Sequence, residues 1–307
     1  MDRTKRAFAV YDVFTNLPLS GNGLAVVFDC DGLGDERMQQ IAREFNQSET
    51  VFILAPEDKK HSASLRIFTP ASELPFAGHP TVGAAIALAE RRYPDGNDPG
   101  GMLVALEEKI GLVRAAVSHS NGGLFAEFDL PQLPRMGAFD AEKGDVASAL
   151  GLSHADIGFE NHHPGVWSAG VPYATVPVSG LDAAARARID IEAWLSLFGM
   201  PEKATPSAFI YCRDTVNHDC AFHARMFAPH HGISEDPATG SAVAAFAGAI
   251  AYYDEPTDGV NQIWIEQGLE MGRPSRIRLE MDISGGSIDT ARIGGHAICV
   301  AEGLLFD

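Results

Sequence analysis

The sequence predicts an α+β protein of two related domains, each a curled β-sheet wrapped around one central helix. Three observations carry this. First, a strand–turn–helix segment occurs twice: Arg66-Ile67-Phe68-Thr69-Pro70 leads into Gly78-His79-Pro80-Thr81 and the run Gly83-Ala84-Ala85-Ile86-Ala87, and Arg225-Met226-Phe227-Ala228-Pro229 leads into Asp236-Pro237-Ala238-Thr239 and the run Gly240-Ser241-Ala242-Val243-Ala244. The offset is about 159 residues at the strands and about 157 at the helices, far too long for a solenoid unit. Second, both helices are apolar nearly all round, and a helix without a polar face is a buried one. Third, strand patterns flank each helix on both sides in sequence.

In chain order, β-branched and aromatic residues predict strands over 8–14, 24–28, 50–54 and 64–68. Between them, 35–45 has helical spacing, with Met38, Ile41, Ala42 and Phe45 on one face. A buried helix over about 81–88 follows, then strands over 102–106, 112–117 and 124–128 joined by glycine-containing turns. Pro131-Gln132-Leu133-Pro134 is the exit from the first domain. The second half repeats the order: a strand over 173–178, a helix over 181–198, strands over 207–212 and 221–227, and a buried helix over about 241–251. Strands near Ile263, Ile277, Ser287 and Ala297 close the chain. The domains are therefore placed at 1–131 and 132–307, with the closing strand, from about 291 to 307, open to either.

Composition narrows the function. At 307 residues, with 46% hydrophobic and 8% aromatic content, the chain describes an ordinary globular protein with ample core. A net charge of −18 argues against nucleic acid or an anionic membrane as partner. No apolar run reaches the ~18 residues of a membrane-spanning helix. The first ten residues alternate into a strand rather than a secretory signal, so a cytoplasmic protein is expected. Cys30, Cys212, Cys220 and Cys299 form no CxxC pair, which fits a reducing compartment and packing roles.

Gly21-Asn22-Gly23 begins like a dinucleotide fingerprint but lacks the third glycine and runs into a strand, so it reads as a tight loop. His162, His163, His218, His223, His230 and His231 match no compact ligand spacing; no metal is expected, and they read as solvated loop residues. His79 is different, because Pro80 can open the helix and leave His79 as its cap beside free backbone N–H groups. Asp236 holds the corresponding place before Pro237. Taken alone, either residue is an ordinary helix cap. Glu49, at the mouth of the apolar stretch Thr50-Val51-Phe52-Ile53-Leu54, reads alone as an exposed strand-end residue; it is also a candidate acid/base, since apolar surroundings disfavour an ionised carboxylate. Its counterpart in the second half, within Ser207-Ala208-Phe209, is alanine.

Together these segments resemble the PhzF-like phenazine-biosynthesis family, relatives of diaminopimelate epimerase. The residues that carry the likeness are Phe14-Thr15 with Gly21-Asn22, Ser48-Glu49-Thr50, Arg66 to Pro70, Glu73 to Thr81, Glu235 to Ala242, Gln267-Gly268, and Met271 to Ser275. One departure is Gly23, where the family has proline. The resemblance implies the diaminopimelate epimerase-like fold, an isomerase of biosynthetic type working without cofactor, and a homodimer. It implies Glu49 as the group that removes a proton from one carbon and returns it to another. His79 and Asp236 assist, and Asn22, Ser48, Gly78, Gly240, Ser241 and Gln267 bind a small carboxylated substrate such as a dihydro-hydroxyanthranilate. Epimerases of this fold carry a cysteine at each of two turns, whereas here those places are filled by Ala77 and Thr239. A two-thiol racemisation is thereby disfavoured. Two alternatives stay open: an epimerase or racemase of an amino or hydroxy acid without catalytic thiols, and a binding protein that has lost its reaction. If the halves fold alike, the helices near Pro80 and Pro237 aim their N-termini at one interdomain cleft.

Overall fold

A computed structural model describes residues 4–95, 101–120, 122–199 and 205–306. The chain divides into two units, Met1–Asp129 with Gly294–Asp307, and Leu130–Ile293. The terminal strand, left open by the sequence, thus lies largely in the first unit.

The first unit contains β1 (Lys5–Val13), β2 (Asn22–Val27), α1 (Asp35–Phe45), β3 (Glu49–Leu54), β4 (Ala63–Phe68), β5 (Glu73–Leu74), α2 (Gly78–Arg92), β6 (Met102–Glu108), β7 (Gly111–Ser120) and β8 (Gly123–Asp129). Its pairings run β1–β2, β2–β3, β3–β4, β4–β6, β6–β7 and β7–β8, with β2–β3 and β4–β6 parallel. The last strand of the chain pairs with both β8 and β1 and closes the ring. Closure removes the unpaired edges that an open sheet would expose.

The ring encloses α2, buried continuously from Gly78 to Ala87. An eight-stranded barrel has room for little more than side chains, so an enclosed helix must be slender. Gly83 shows how tight the fit is: a Cβ there would press on Leu24 Cδ2 and come within 2.9 Å of Val13 Cγ2, both fully buried. Gly83→Val is expected to destabilise the protein by about 1–3 kcal/mol through overpacking, despite the gain in helix propensity; urea unfolding would measure it. On the sheet, α1 packs Met38, Ile41 and Ala42 against Val27, Phe52 and Phe68, the face read from its spacing.

The second unit contains β9 (Arg135–Met136), α3 (Lys143–Ala149), β10 (Gly165–Ser168), β11 (Pro172–Pro177), α4 (Leu181–Arg186), α5 (Ile191–Phe198), β12 (Ser207–Cys212), β13 (Phe222–Ala228), β14 (Ile233–Asp236), α6 (Gly240–Asp254), β15 (Gly259–Gln267), β16 (Ser275–Ser284) and the first residues of β17 (Ser287–Phe306), whose remainder from Gly294 is the terminal strand of the first unit. Its ladder, β11–β12 parallel, β12–β13 and β13–β14 antiparallel, β13–β15 parallel, β15–β16 antiparallel, repeats that of β2 to β7 step for step. The repeat read in the sequence is therefore a repeat of topology. Helix α6 is buried from Ala242 to Ile250 and packs on β10, β11 and β16, the counterpart of α2.

Three expectations need correction. The helix expected over 181–198 is two, because Asp190 accepts hydrogen bonds from the N–H groups of Glu192 and Ala193 and starts α5 afresh. The strands expected near Ser287 and Ala297 are one strand, β17, entered from β16 through Gly285 and Gly286 at φ 57° and 74°, a type I′ hairpin turn. Helix starts also differ: α2 begins at Gly78 with Ala77 as N-cap, placing His79 and Pro80 inside the first turn, and α6 begins at Gly240 with Thr239 as N-cap, leaving Asp236 at the end of β14 and Pro237 outside the helix. A proline anywhere in a first turn sacrifices no helical hydrogen bond, so its position alone did not fix the start. His79 therefore matches Ser241, not Asp236, in the repeat.

Candidate active site

In the first unit the strand order sets the site. Parallel pairing puts Leu24 of β2 opposite Glu49 at the start of β3, and Asn22, fully buried, opens β2. Ser48 is half-buried just before Glu49, and Gly78 is buried at the start of α2. His79, in the first turn of α2, brings Nε2 to 3.2 Å from Glu49 Oε2. Burial pushes the His79 imidazole down to about 3, against a hydrogen bond with the Gly23 backbone that favours the charged form. His79 is thus neutral near pH 7 and forms no ion pair with Glu49. No side chain caps α2 and no acidic residue lies in its first turn, so the positive end of its dipole is uncompensated from within the helix.

In the second unit the expected residues also gather. Thr239 Oγ1 donates to Asp236 Oδ2 at 2.5 Å, and the Thr239 N–H donates to Gln267 Oε1 at 3.1 Å. Gln267, fully buried, donates through Nε2 to the Asp236 carbonyl at 2.7 Å and to Thr239 Oγ1 at 3.0 Å. The next residue, Gly268, sits at φ 80° with room for no Cβ, which would lie 2.5 Å from the Pro237 carbonyl. Ser241 Oγ is 2.7 Å from the Tyr173 hydroxyl. Gly240 opens α6, again with no side-chain cap and no first-turn acid.

Both N-cap positions, Ala77 and Thr239, lack a thiol. Burial pushes the thiols of Cys30 and Cys212 up to about 12 and that of Cys220 to about 11, far from thiolate reactivity. Among the described residues no group of three or more His, Cys, Asp or Glu side chains is arranged to hold a metal ion. Two histidines read as solvated are buried. His162 lies between Tyr211 and Asp254 at 2.9 and 2.8 Å. His223 lies between Glu266 and Glu270 at 2.9 and 3.0 Å. Burial works against a charge on His223, but the two carboxylates outweigh it and lift the imidazole to about 9. Sequence spacing says nothing about such partners, since they come from segments far apart in the chain.

The structure adds two side chains that sequence reasoning missed. Tyr173 orients Ser241, and Glu108 is buried against Thr81 of α2, with Thr81 Oγ1 2.9 Å from Glu108 Oε1. The repeat held the signal for Glu108: about 159 residues on stands Gln267, which holds Thr239 in the second unit.

Comparison with known proteins gives the family. The family model described as phenazine biosynthesis-like protein matches residues 11–303. An uncharacterized isomerase of Mesorhizobium japonicum, mll1393, is 57% identical over 98% of this chain and 99% of its own length. The trans-2,3-dihydro-3-hydroxyanthranilate isomerase of Pseudomonas aeruginosa is 34% identical over 97% of this chain and 99% of its own. A crystal structure of a PhzF-family phenazine biosynthesis protein from Bacillus anthracis superposes with a TM-score of 0.88, at 28% identity, over 99% of this chain and 100% of that one. With its doubled sheet-around-helix fold and a motif set spanning both units, the chain belongs to the phenazine biosynthesis-like, or PhzF, family.

Proposed function

We propose that this PhzF-family isomerase moves a proton between two carbons of a small carboxylated substrate, with Glu49 as the single acid/base. The observation that carries the reading is the pairing of Glu49 with a neutral, buried His79 at 3.2 Å beside the first turn of α2. A neutral imidazole does not tie up the carboxylate in an ion pair, so Glu49 can accept a proton from carbon, and the double bond shifts as the proton is returned to a second carbon. No oxidant or reductant is consumed. His79 assists the transfer. The N–H groups at Gly78 and Gly240 suit a carboxylate, because uncompensated helix N-termini attract an anion locally even in a chain of charge −18. Asp236, Ser241 and Gln267 hold the substrate, with Asn22 and Ser48. The absence of thiols at Ala77 and Thr239 disfavours the two-base racemisation. The reading also takes the protein as a cytoplasmic homodimer acting in biosynthesis.

The test is incubation with trans-2,3-dihydro-3-hydroxyanthranilate, the substrate in the name of the Pseudomonas aeruginosa relative, in deuterated water with mass detection. The expected result is an isomer of altered chromatographic mobility, with deuterium only at the carbon that receives the proton. Recovery of the same compound with deuterium at a stereocentre would favour epimerisation instead. No exchange and no conversion, with this or related carboxylated dienes, would overturn the isomerase reading.

A further inference from the structure

Glu108 ends β6 as a buried carboxyl, and its only hydrogen-bond partner among the described residues is Thr81 of α2. Thr81 Oγ1 lies 2.8 Å from the Ala77 carbonyl and 2.9 Å from Glu108 Oε1. One hydroxyl hydrogen cannot serve both acceptors. If it goes to the Ala77 carbonyl, the Glu108 contact needs a proton on the carboxyl itself. If it goes to an ionised Glu108, a buried charge is left with a single hydrogen bond and its second oxygen, Oε2, with none, the costlier arrangement by far. The second unit resolves the same strand position with a neutral side chain, Gln267, donating to Thr239 Oγ1. A protonated glutamic acid and a glutamine present the same kind of donor to a threonine.

We propose that Glu108 is a positioning residue: as a carboxylic acid donating to Thr81, it fixes the first turn of α2, and through it His79 and the Gly78 N–H, so that activity requires its proton. This rests on the reading of Glu49 and His79 as the proton-transfer pair. Burial pushes the Glu108 carboxyl up to about 8. The charged groups on the surrounding elements are engaged elsewhere. Glu107 accepts from the N–H groups of Glu57 and Asp58 and pairs with His61. Lys109 and Arg66 both bind Glu73. On α2, His79 faces Glu49 and Glu90 accepts from Tyr11. Arg114 and His119 of β7, and Glu127 and Asp129 of β8, are the remaining charged or titratable groups on the neighbouring strands.

The sign follows from linkage. Folded protein holds a proton that the unfolded chain has released, so the stability Glu108 contributes is full below about 4.5 and is lost as pH rises to about 8. Melting temperatures of wild type, Glu108→Gln and Glu108→Leu should be followed from near pH 5 to near pH 9, together with turnover of trans-2,3-dihydro-3-hydroxyanthranilate. Glu108→Gln should lose less stability than wild type over this range, with a relative gain of several degrees at the alkaline end. Its activity should persist where wild type falls roughly tenfold per pH unit above about 8. Glu108→Leu should lose activity at every pH, and recovery in Glu108→Gln separates positioning from mere filling of space. An alkaline stability loss and rate limb unchanged in Glu108→Gln would overturn the proposal. The melting arm needs no substrate: if it succeeds while no variant turns the diene over, the function assigned above fails and the protonation state of Glu108 stands.

Discussion

Glu49→Gln is expected to lower turnover by about 10²–10⁴-fold while leaving the melting temperature and ligand affinity near wild type. The substitution keeps volume and hydrogen-bonding capacity and removes only the ability to carry a proton to and from carbon. His79 cannot take over as a charged acid, because burial holds its imidazole near 3 and thus neutral at working pH. Nor can a thiol, since Ala77 and Thr239 stand at the N-caps. A loss confined to kcat, with KM unchanged, would mark an interaction made only in the transition state. Turnover within a few-fold of wild type would sink the one-base mechanism. An unfolded variant is unexpected, since the Glu49 side chain retains some exposure and lies at the first residue of β3, not inside the core.

What the sequence made legible follows from which signals are local. The β-branched and aromatic residues that mark β3 and β4 and the helical spacing of α1 depend on neighbours within a few residues, and those elements lie where the pattern puts them. The central helices were legible for the same reason, since runs of alanine and glycine with no polar face leave only burial. Their starts were not, because Pro80 is equally content at either of two first-turn positions and Pro237 lies before its helix altogether. That is why an apparent offset of about 157 at the helices hid the true equivalence of Gly78 with Gly240. The partners of buried charges were also hidden. His223 meets Glu266 and Glu270 only because β13 and β15 run side by side. Glu108, read singly, is one acidic residue at a strand end; read beside Gln267 it becomes a conspicuous position.

The corrected repeat exposes a second large effect, at Arg225. Its counterpart is Arg66, and each arginine grips the glutamate that precedes its turn: Arg66 holds Glu73, and Arg225 holds Glu235 through Nε and Nη2 at 2.8 and 2.9 Å. The two are not equal in environment. Arg225 is 3% exposed and also donates through Nη1 to the carbonyls of Ala184 at 2.6 Å and Ala187 at 3.2 Å, closing the C-terminal end of α4. Arg225→Ala would leave Glu235 uncompensated and those carbonyls without their charged donor, and a loss of about 3–5 kcal/mol is expected. Arg225→Lys should recover only part of it, because an ammonium cannot reproduce the planar fork. Arg66 is 21% exposed, and Glu73 keeps Lys109 as a second partner, so Arg66→Ala should cost about 1 kcal/mol. If the penalty arises from the stranded charge, the double substitution Arg225→Met with Glu235→Leu should regain much of the stability lost in Arg225→Ala. Urea unfolding of the four variants would decide it. Equal losses for Arg66→Ala and Arg225→Ala, or no recovery in the double variant, would show that the buried pair is not what holds the turn carrying Asp236.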